Sequence, residues 1–225
     1  MRLLLTSAGI SNTSIRDTLV DLLGKPIAES NALCIPTAAY TSPRGASMAY
    51  QLIHGVADTP CAKWVGSPLG VLELTALPSI EKDHWTAAVQ QTDALLVGGG
   101  DPLYLCYWMR QSGLAGLLPS LDETVYVGLS AGSTVMAPNL GEGFVRGMPR
   151  TGDKALGVVD FALFPHLEDE DLPRKSMSNA EEWAASVTVP AYAIDDQTAI
   201  KVMDGNVEVV SEGHWKLFTG SPKAS

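Results

Sequence analysis

Short runs of apolar residues bounded by turn residues recur along the first two thirds of the chain. Leu3 to Thr6, Ala32 to Pro36, Ala94 to Val97 and Val125 to Leu129 each have the length and β-branched or aliphatic content of a buried strand. Between them, Ser14 to Leu23, Ser47 to Val56, Ile80 to Gln90 and Leu103 to Arg110 carry apolar residues at helical spacing. Continuous apolar strands alternating with helices predict a parallel sheet buried on both faces, because each crossover helix returns across one face of the sheet. The last third changes pattern. Val189 to Ile194, Ala199 to Met203 and Val207 to Val210 read as strands, and Asp204-Gly205 supplies a hairpin turn between the latter two. A parallel α/β core with an antiparallel C-terminal edge is therefore expected, in one domain spanning residues 1–225, with no repeat or linker dividing it.

Charge and cysteine content narrow the function. The 225 residues carry a formal net charge of -10, which disfavours a nucleic-acid partner. Cys34, Cys61 and Cys106 are odd in number and far apart, without the spacing of a disulfide framework or a zinc site, so free thiols in a reducing cytoplasm are expected. The opening MRLLLTSAG lacks the length of a signal-peptide core, and no segment reaches the roughly 20 apolar residues that span a bilayer. Neither a membrane partner nor a metal or organic cofactor is indicated, and the oligomeric state is not legible.

Candidate chemistry centres on TVYVGLSAGS, Thr124 to Ser133. Gly128-Leu129-Ser130-Ala131-Gly132 fits G-x-S-x-G, in which flanking glycines let a strand turn abruptly into a helix and present a serine hydroxyl at the carboxyl edge of the sheet. A structural loop serine is the competing reading. A second cluster, Gly98-Gly99-Gly100, follows another strand, and an NH from that turn can pair with the NH of Ala131 to hold a developing oxyanion. Its spacing does not fit a phosphate-binding loop, and Asp101 would repel a phosphate. Of the four histidines, His54 and His84 fall in helical segments and His214 near the terminus, whereas His166 follows the strand DFALFP and should emerge at the sheet edge as the base. The carboxylate that orients it is open among Asp160, the run Glu168 to Asp171, and the pair Asp195-Asp196, whose members point to opposite sides if the strand continues.

The ordered motifs VGGGDPLYL, GLSAGS, FPH and AIDDQTAI resemble those of the peptidase E (aspartyl dipeptidase) and cyanophycinase family of serine peptidases, over most of the chain. The resemblance implies a flavodoxin-like α/β fold akin to class I glutamine amidotransferases, with Ser130 as nucleophile, His166 as base and Asp196 as the orienting acid. It also implies oxyanion NH groups from Gly100 and Ala131. Two departures stand out. The acid is glutamate in the aspartyl dipeptidases, and asparagine usually follows the glycine cluster where Asp101 stands here, free either to bind a substrate ammonium or to cap the helix beginning near Pro102. In the aspartate-specific enzymes an arginine beyond the catalytic histidine receives the substrate carboxylate; the corresponding place here is Ser178 or Asn179, and Arg174 or Lys175, slightly earlier, can bind substrate in its stead if the loop folds back. The expected activity is hydrolysis of small peptides without a strict requirement for aspartate. An esterase, amidase or cyanophycinase-like hydrolase with the same three residues, or a silent binding protein of the same fold, is the alternative.

Overall fold

The computed structural model describes residues 1–54, 69–141 and 152–219. Its main sheet has seven strands in the order β3-β2-β4-β5-β1-β8-β9. The strands are β1 (Arg2–Thr6), β2 (Ala32–Ile35), β3 (Leu69–Val71), β4 (Ala94–Val97), β5 (Val125–Leu129), β8 (Thr198–Met203) and β9 (Asn206–Ser211). The first five in that order run parallel, and β8 and β9 continue the sheet antiparallel beside β1.

The alternation of side chains along each strand explains why β2, β4 and the middle of β1 are apolar throughout. Leu3 and Leu5 of β1, Leu95 and Val97 of β4, and Tyr126 of β5 face one core, packed with residues such as Trp85, Leu105 and Met109. Those last three residues come from α3 (Lys82–Gln90) and α4 (Pro102–Gln111). Leu4, Leu96 and Val127 face the other core, with Ile15 and Leu19 of α1 (Thr13–Leu23) and Leu52 of α2 (Gly45–His54). Helices on both faces keep the interior positions of β1, β2 and β4 apolar, and Thr6, Ser7 and Ser130 lie at or just beyond the carboxyl ends of their strands. No helix among the described residues is long and apolar enough to cross a membrane. Cys34 and Cys106 are buried thiols outside any disulfide, while Cys61 and the end of the expected second helix, Val56, lie outside the described residues.

The C-terminal third departs from the expected plan in one respect. The hairpin forms where Asp204-Gly205 predicts it, with φ of 52° and 78°, and joins β8 to β9 as the antiparallel edge. The strand expected over Val189 to Ile194 is β7 (Ala191–Ile194), and it belongs to a second sheet of order β10-β7-β6. There it runs parallel to β6 (Ala162–Phe164) and antiparallel to β10 (Trp215–Phe218). The separation occurs at Asp195, whose carboxylate accepts from the NH of Gln197 at 3.0 Å and the hydroxyl of Thr198 at 2.6 Å, closing a turn that carries the chain from one sheet to the other. Ala162, Phe164, Ala191 and Ala193 of the smaller sheet pack on α7 (Met177–Ser186) through Ala180 and Trp183.

Candidate active site

Ser130 follows β5 with φ 50° and ψ -106°, a conformation that a non-glycine residue adopts only when its surroundings enforce it. A Cβ added to Gly128 would lie 2.7 Å from the carbonyl oxygen of Gly132, and one added to Gly132 would lie 2.2 Å from the carbonyl oxygen of Val97. Both glycines are therefore required by close backbone approach, the second because α6 (Ala131–Thr134) begins directly against the end of β4. The turn is pinned from three sides: the NH of Ser130 and the hydroxyl of Ser133 donate to the carbonyl of Thr6 at 3.1 and 2.7 Å, and the buried Tyr126 hydroxyl donates to the carbonyl of Gly132 at 2.7 Å. The helix expected to follow the elbow, α6, is thus only one turn long.

His166 and Asp196 come from the carboxyl ends of β6 and β7, whose parallel pairing continues past the strands as the NH of Leu167 donates to the carbonyl of Ile194 at 3.0 Å. Nδ1 of His166 lies 2.8 Å from Oδ1 of Asp196, and Nε2 lies 2.9 Å from Oγ of Ser130. A carboxylate can only accept, so Nδ1 carries the proton and Nε2 offers its lone pair to the serine hydroxyl. Burial pushes the Asp196 carboxyl up, but the hydrogen bonds from His166 and Ser7 and the nearby Lys175 charge outweigh it and hold the group below the ordinary aspartate range. The acid is thus kept ionised beside the imidazole.

The turn Gly98 to Gly100 packs on this elbow. A Cβ on Gly99 would sit 3.3 Å from that of Ser130, and Gly100, at φ 141°, has no room for one, with the carbonyl oxygen of Ala38 at 2.0 Å. Among the described residues the NH groups of Gly100 and Ala131 have no hydrogen-bond acceptor. Asp101 caps α4, its Oδ1 accepting from the NH of Tyr104 at 2.9 Å. Arg174 is exposed on the short 3-10 turn Pro173–Lys175.

The remaining candidates separate cleanly. His54 stacks on Tyr50, His84 is an exposed neighbour of Glu81, and His214 is exposed. Asp160 is exposed beside a different groove, lined by Val159, Tyr192 and Val207. Asp195 is turned into its own turn and accepts from the NH of His214 through its second oxygen. Of the acidic run Asp169 approaches the ring, with donor atoms of His166, Asp169 and Asp196 all within 4.8 Å of one another. A cation held there would have to displace one of the partners that both ring nitrogens of His166 already have. A solvent-open depression of about 350 Å³ on the acid's side is lined by Glu168, Asp169, Asp195, Asp196 and His214 and does not include Ser130.

Two residues at the site have no motif to announce them. Ser7, fully buried at the end of β1, donates to Oδ1 of Asp196 at 2.6 Å and accepts from the NH of His166 at 2.7 Å. Lys175 lies over the ring of Phe164, 4.3 Å from its centroid, and close enough to Asp196 for their charges to interact. Ser7 was detectable only as a polar residue at the carboxyl end of an apolar strand; for Lys175 the sequence offers no signal beyond its proximity to Arg174.

The comparisons agree with this architecture. No curated protein sequence gives a significant match. A peptidase E assignment from Listeria monocytogenes EGD-e has a similar fold, with a TM-score of 0.66 at 18% identity, covering 94% of this chain and 98% of its own. A peptidase from an acI-B1 Actinobacterium gives a TM-score of 0.68 at 18% identity, covering 98% of this chain and 91% of its own. The family model of peptidase family S51 matches residues 3–210. With a flavodoxin-like α/β sheet and a match over nearly its whole length, the chain belongs to peptidase family S51 and is a serine-type peptidase.

Proposed function

We propose that the chain hydrolyses small peptides through an acyl-enzyme formed on Ser130, with His166 as general base and acid and Asp196 as its orienting carboxylate. The observation that carries this reading is the unbroken relay from Asp196 through both ring nitrogens of His166 to the Ser130 hydroxyl, at 2.8 and 2.9 Å. As Oγ bonds to the scissile carbonyl carbon, its proton passes to Nε2, and the imidazolium so formed is stabilised by the ionised Asp196. The NH groups of Gly100 and Ala131 receive the oxyanion, the second at the start of α6. Collapse of the tetrahedral species breaks the C–N bond, the leaving amine taking the proton from Nε2. Water then attacks the ester by the same route and restores Ser130. No step uses a metal or a cofactor.

The reading extends to specificity. Ser176 caps α7 by accepting from the NH of Asn179, so the place that an aspartate-binding arginine would occupy holds Ser178 and Asn179 at the helix start. Arg174 points from an exposed turn, and the depression beside Asp196 is acidic. Neither feature favours an acidic side chain, and the enzyme is expected to accept neutral residues without strictly requiring an N-terminal aspartate. Two measurements test the proposal: stoichiometric labelling of Ser130 by a fluorophosphonate, absent in Ser130→Ala, and kcat/KM for Asp-X against neutral dipeptides and acyl esters at fixed ionic strength. A preference for Asp-X above about a hundredfold, roughly 2.7 kcal/mol of transition-state binding, would refute the specificity. Unlabelled Ser130 would refute the nucleophile.

A further inference from the structure

We infer that Ser7 is a positioning residue for the reaction, holding Asp196 and His166 in the one arrangement in which the imidazole reaches Ser130. The inference rests on the reading of Ser130, His166 and Asp196 given above.

Topology supplies the first argument. The sheet order β5-β1-β8 places β1 between the strand that ends at Ser130 and the strand that begins just after Asp196. The residue leaving the carboxyl end of β1 therefore stands between the nucleophile's strand and the acid's turn, and that residue is Ser7. Its side chain is fully buried, so its polar atom must be satisfied by protein.

The hydrogen bonding supplies the second. A serine hydroxyl has one proton, and here it lies 2.6 Å from Oδ1 of Asp196, the same oxygen that faces Nδ1 of His166. The lone pairs of Ser7 are left for His166: its backbone NH donates at 2.7 Å, and Nδ1 lies at 3.3 Å. Because His166 has φ 62°, an unfavourable conformation for a residue with a Cβ, something must hold its backbone, and the Ser7 hydroxyl is a direct restraint on it. One hydroxyl thus fixes the carboxylate's rotation and the imidazole's point of attachment together. Ser11, from the same loop, donates to the Asp196 carbonyl at 2.5 Å and holds the backbone but makes no bond to either reacting side chain.

A residue that merely fills space and one that acts through Asp196 differ in coupling. For Ser7→Ala we expect kcat to fall by about 10- to 100-fold with KM changed less than about threefold, since the lost interaction aligns the relay rather than binding substrate. In the Asp196→Asn background, where the relay is already broken, the same substitution should cost less than about threefold. Should Ser7→Ala not fold at the assay temperature, Ser7→Thr and Ser7→Val, nearly equal in shape but differing in the hydroxyl, make the comparison: the threonine variant retains turnover and the valine variant loses it. Additive losses in the two backgrounds, or equal activities of the threonine and valine variants, would overturn the role of Ser7 alone. Wild-type turnover in Ser130→Ala or Asp196→Asn would instead overturn the underlying reading, and this inference with it.

Discussion

Asp195 and Asp196, adjacent in the chain, turn their carboxylates to opposite tasks. Asp196 receives Nδ1 of His166 at 2.8 Å, while Asp195 accepts from the NH of Gln197, the hydroxyl of Thr198 and the NH of His214. The first reaches Ser130 through the His166 ring, and the second knots the passage between the two sheets.

Their amides should therefore fail in different ways. Asp196→Asn is expected to lower kcat by roughly 10³- to 10⁴-fold with little change in the unfolding midpoint, because an amide can hold the wrong tautomer and cannot stabilise the imidazolium. Asp195→Asn should leave turnover within a few-fold and cost about 1–3 kcal/mol of stability, since one amide group cannot accept from all three donors. Steady-state kinetics and urea denaturation of both proteins check this, and a loss of turnover confined to the Asp195 variant would reverse the assignment.

Ser133 is the neighbour with which the proposed nucleophile, Ser130, could be confused. Its hydroxyl is buried and donates to the carbonyl of Thr6 at 2.7 Å, a structural bond. Ser133→Ala should lose about 1 kcal/mol of stability and keep fluorophosphonate labelling. An unlabelled but folded variant would move the nucleophile to Ser133.

Gly132→Ala tests the elbow itself. The new Cβ would meet the Val97 carbonyl oxygen at 2.2 Å, backbone against backbone, with nothing flexible to yield. We expect a loss of about 3 kcal/mol or more, or an insoluble product. Gly116→Ala, where a Cβ meets nothing within 4 Å, is the control and should be nearly neutral. Similar unfolding midpoints for the two would contradict the packing.

Lys175 gives a stability signature in alkaline solution. Burial lowers its ammonium to about 8, against an opposing pull from Asp196. Between about 8 and the ordinary value of 10.5 the unfolded chain binds more protons than the folded one, so this residue makes stability rise with pH across that window. Below it both states are protonated and the folded state bears the full cost of the buried charge. In Lys175→Met that pH-dependent gain is absent, so the variant's stability relative to the wild type should decline as the pH rises from 7 to 10. A difference independent of pH, measured by urea unfolding, would show that Lys175 titrates normally.

The sequence by itself determined the parallel core and the elbow. Strands buried on both faces must be apolar at every position, which made β1, β2, β4 and β5 legible as uninterrupted runs, and a strand cannot turn into a helix within two residues unless glycines such as Gly128 and Gly132 remove the clashing Cβ atoms. The Asp204-Gly205 hairpin was legible for the same local reason. What only the tertiary structure decided is pairing between distant segments. No property of VPAYAI distinguishes a strand of the main sheet from one beside β6 and β10, since edge and partner are set by the turn at Asp195. Whether Asp195 or Asp196 faces His166 depended on that same turn. The roles of Ser7 and Lys175 were not legible because they arise from side-chain contacts across 189 and 21 positions of chain, and no local pattern encodes which strand end will lie beside which acid.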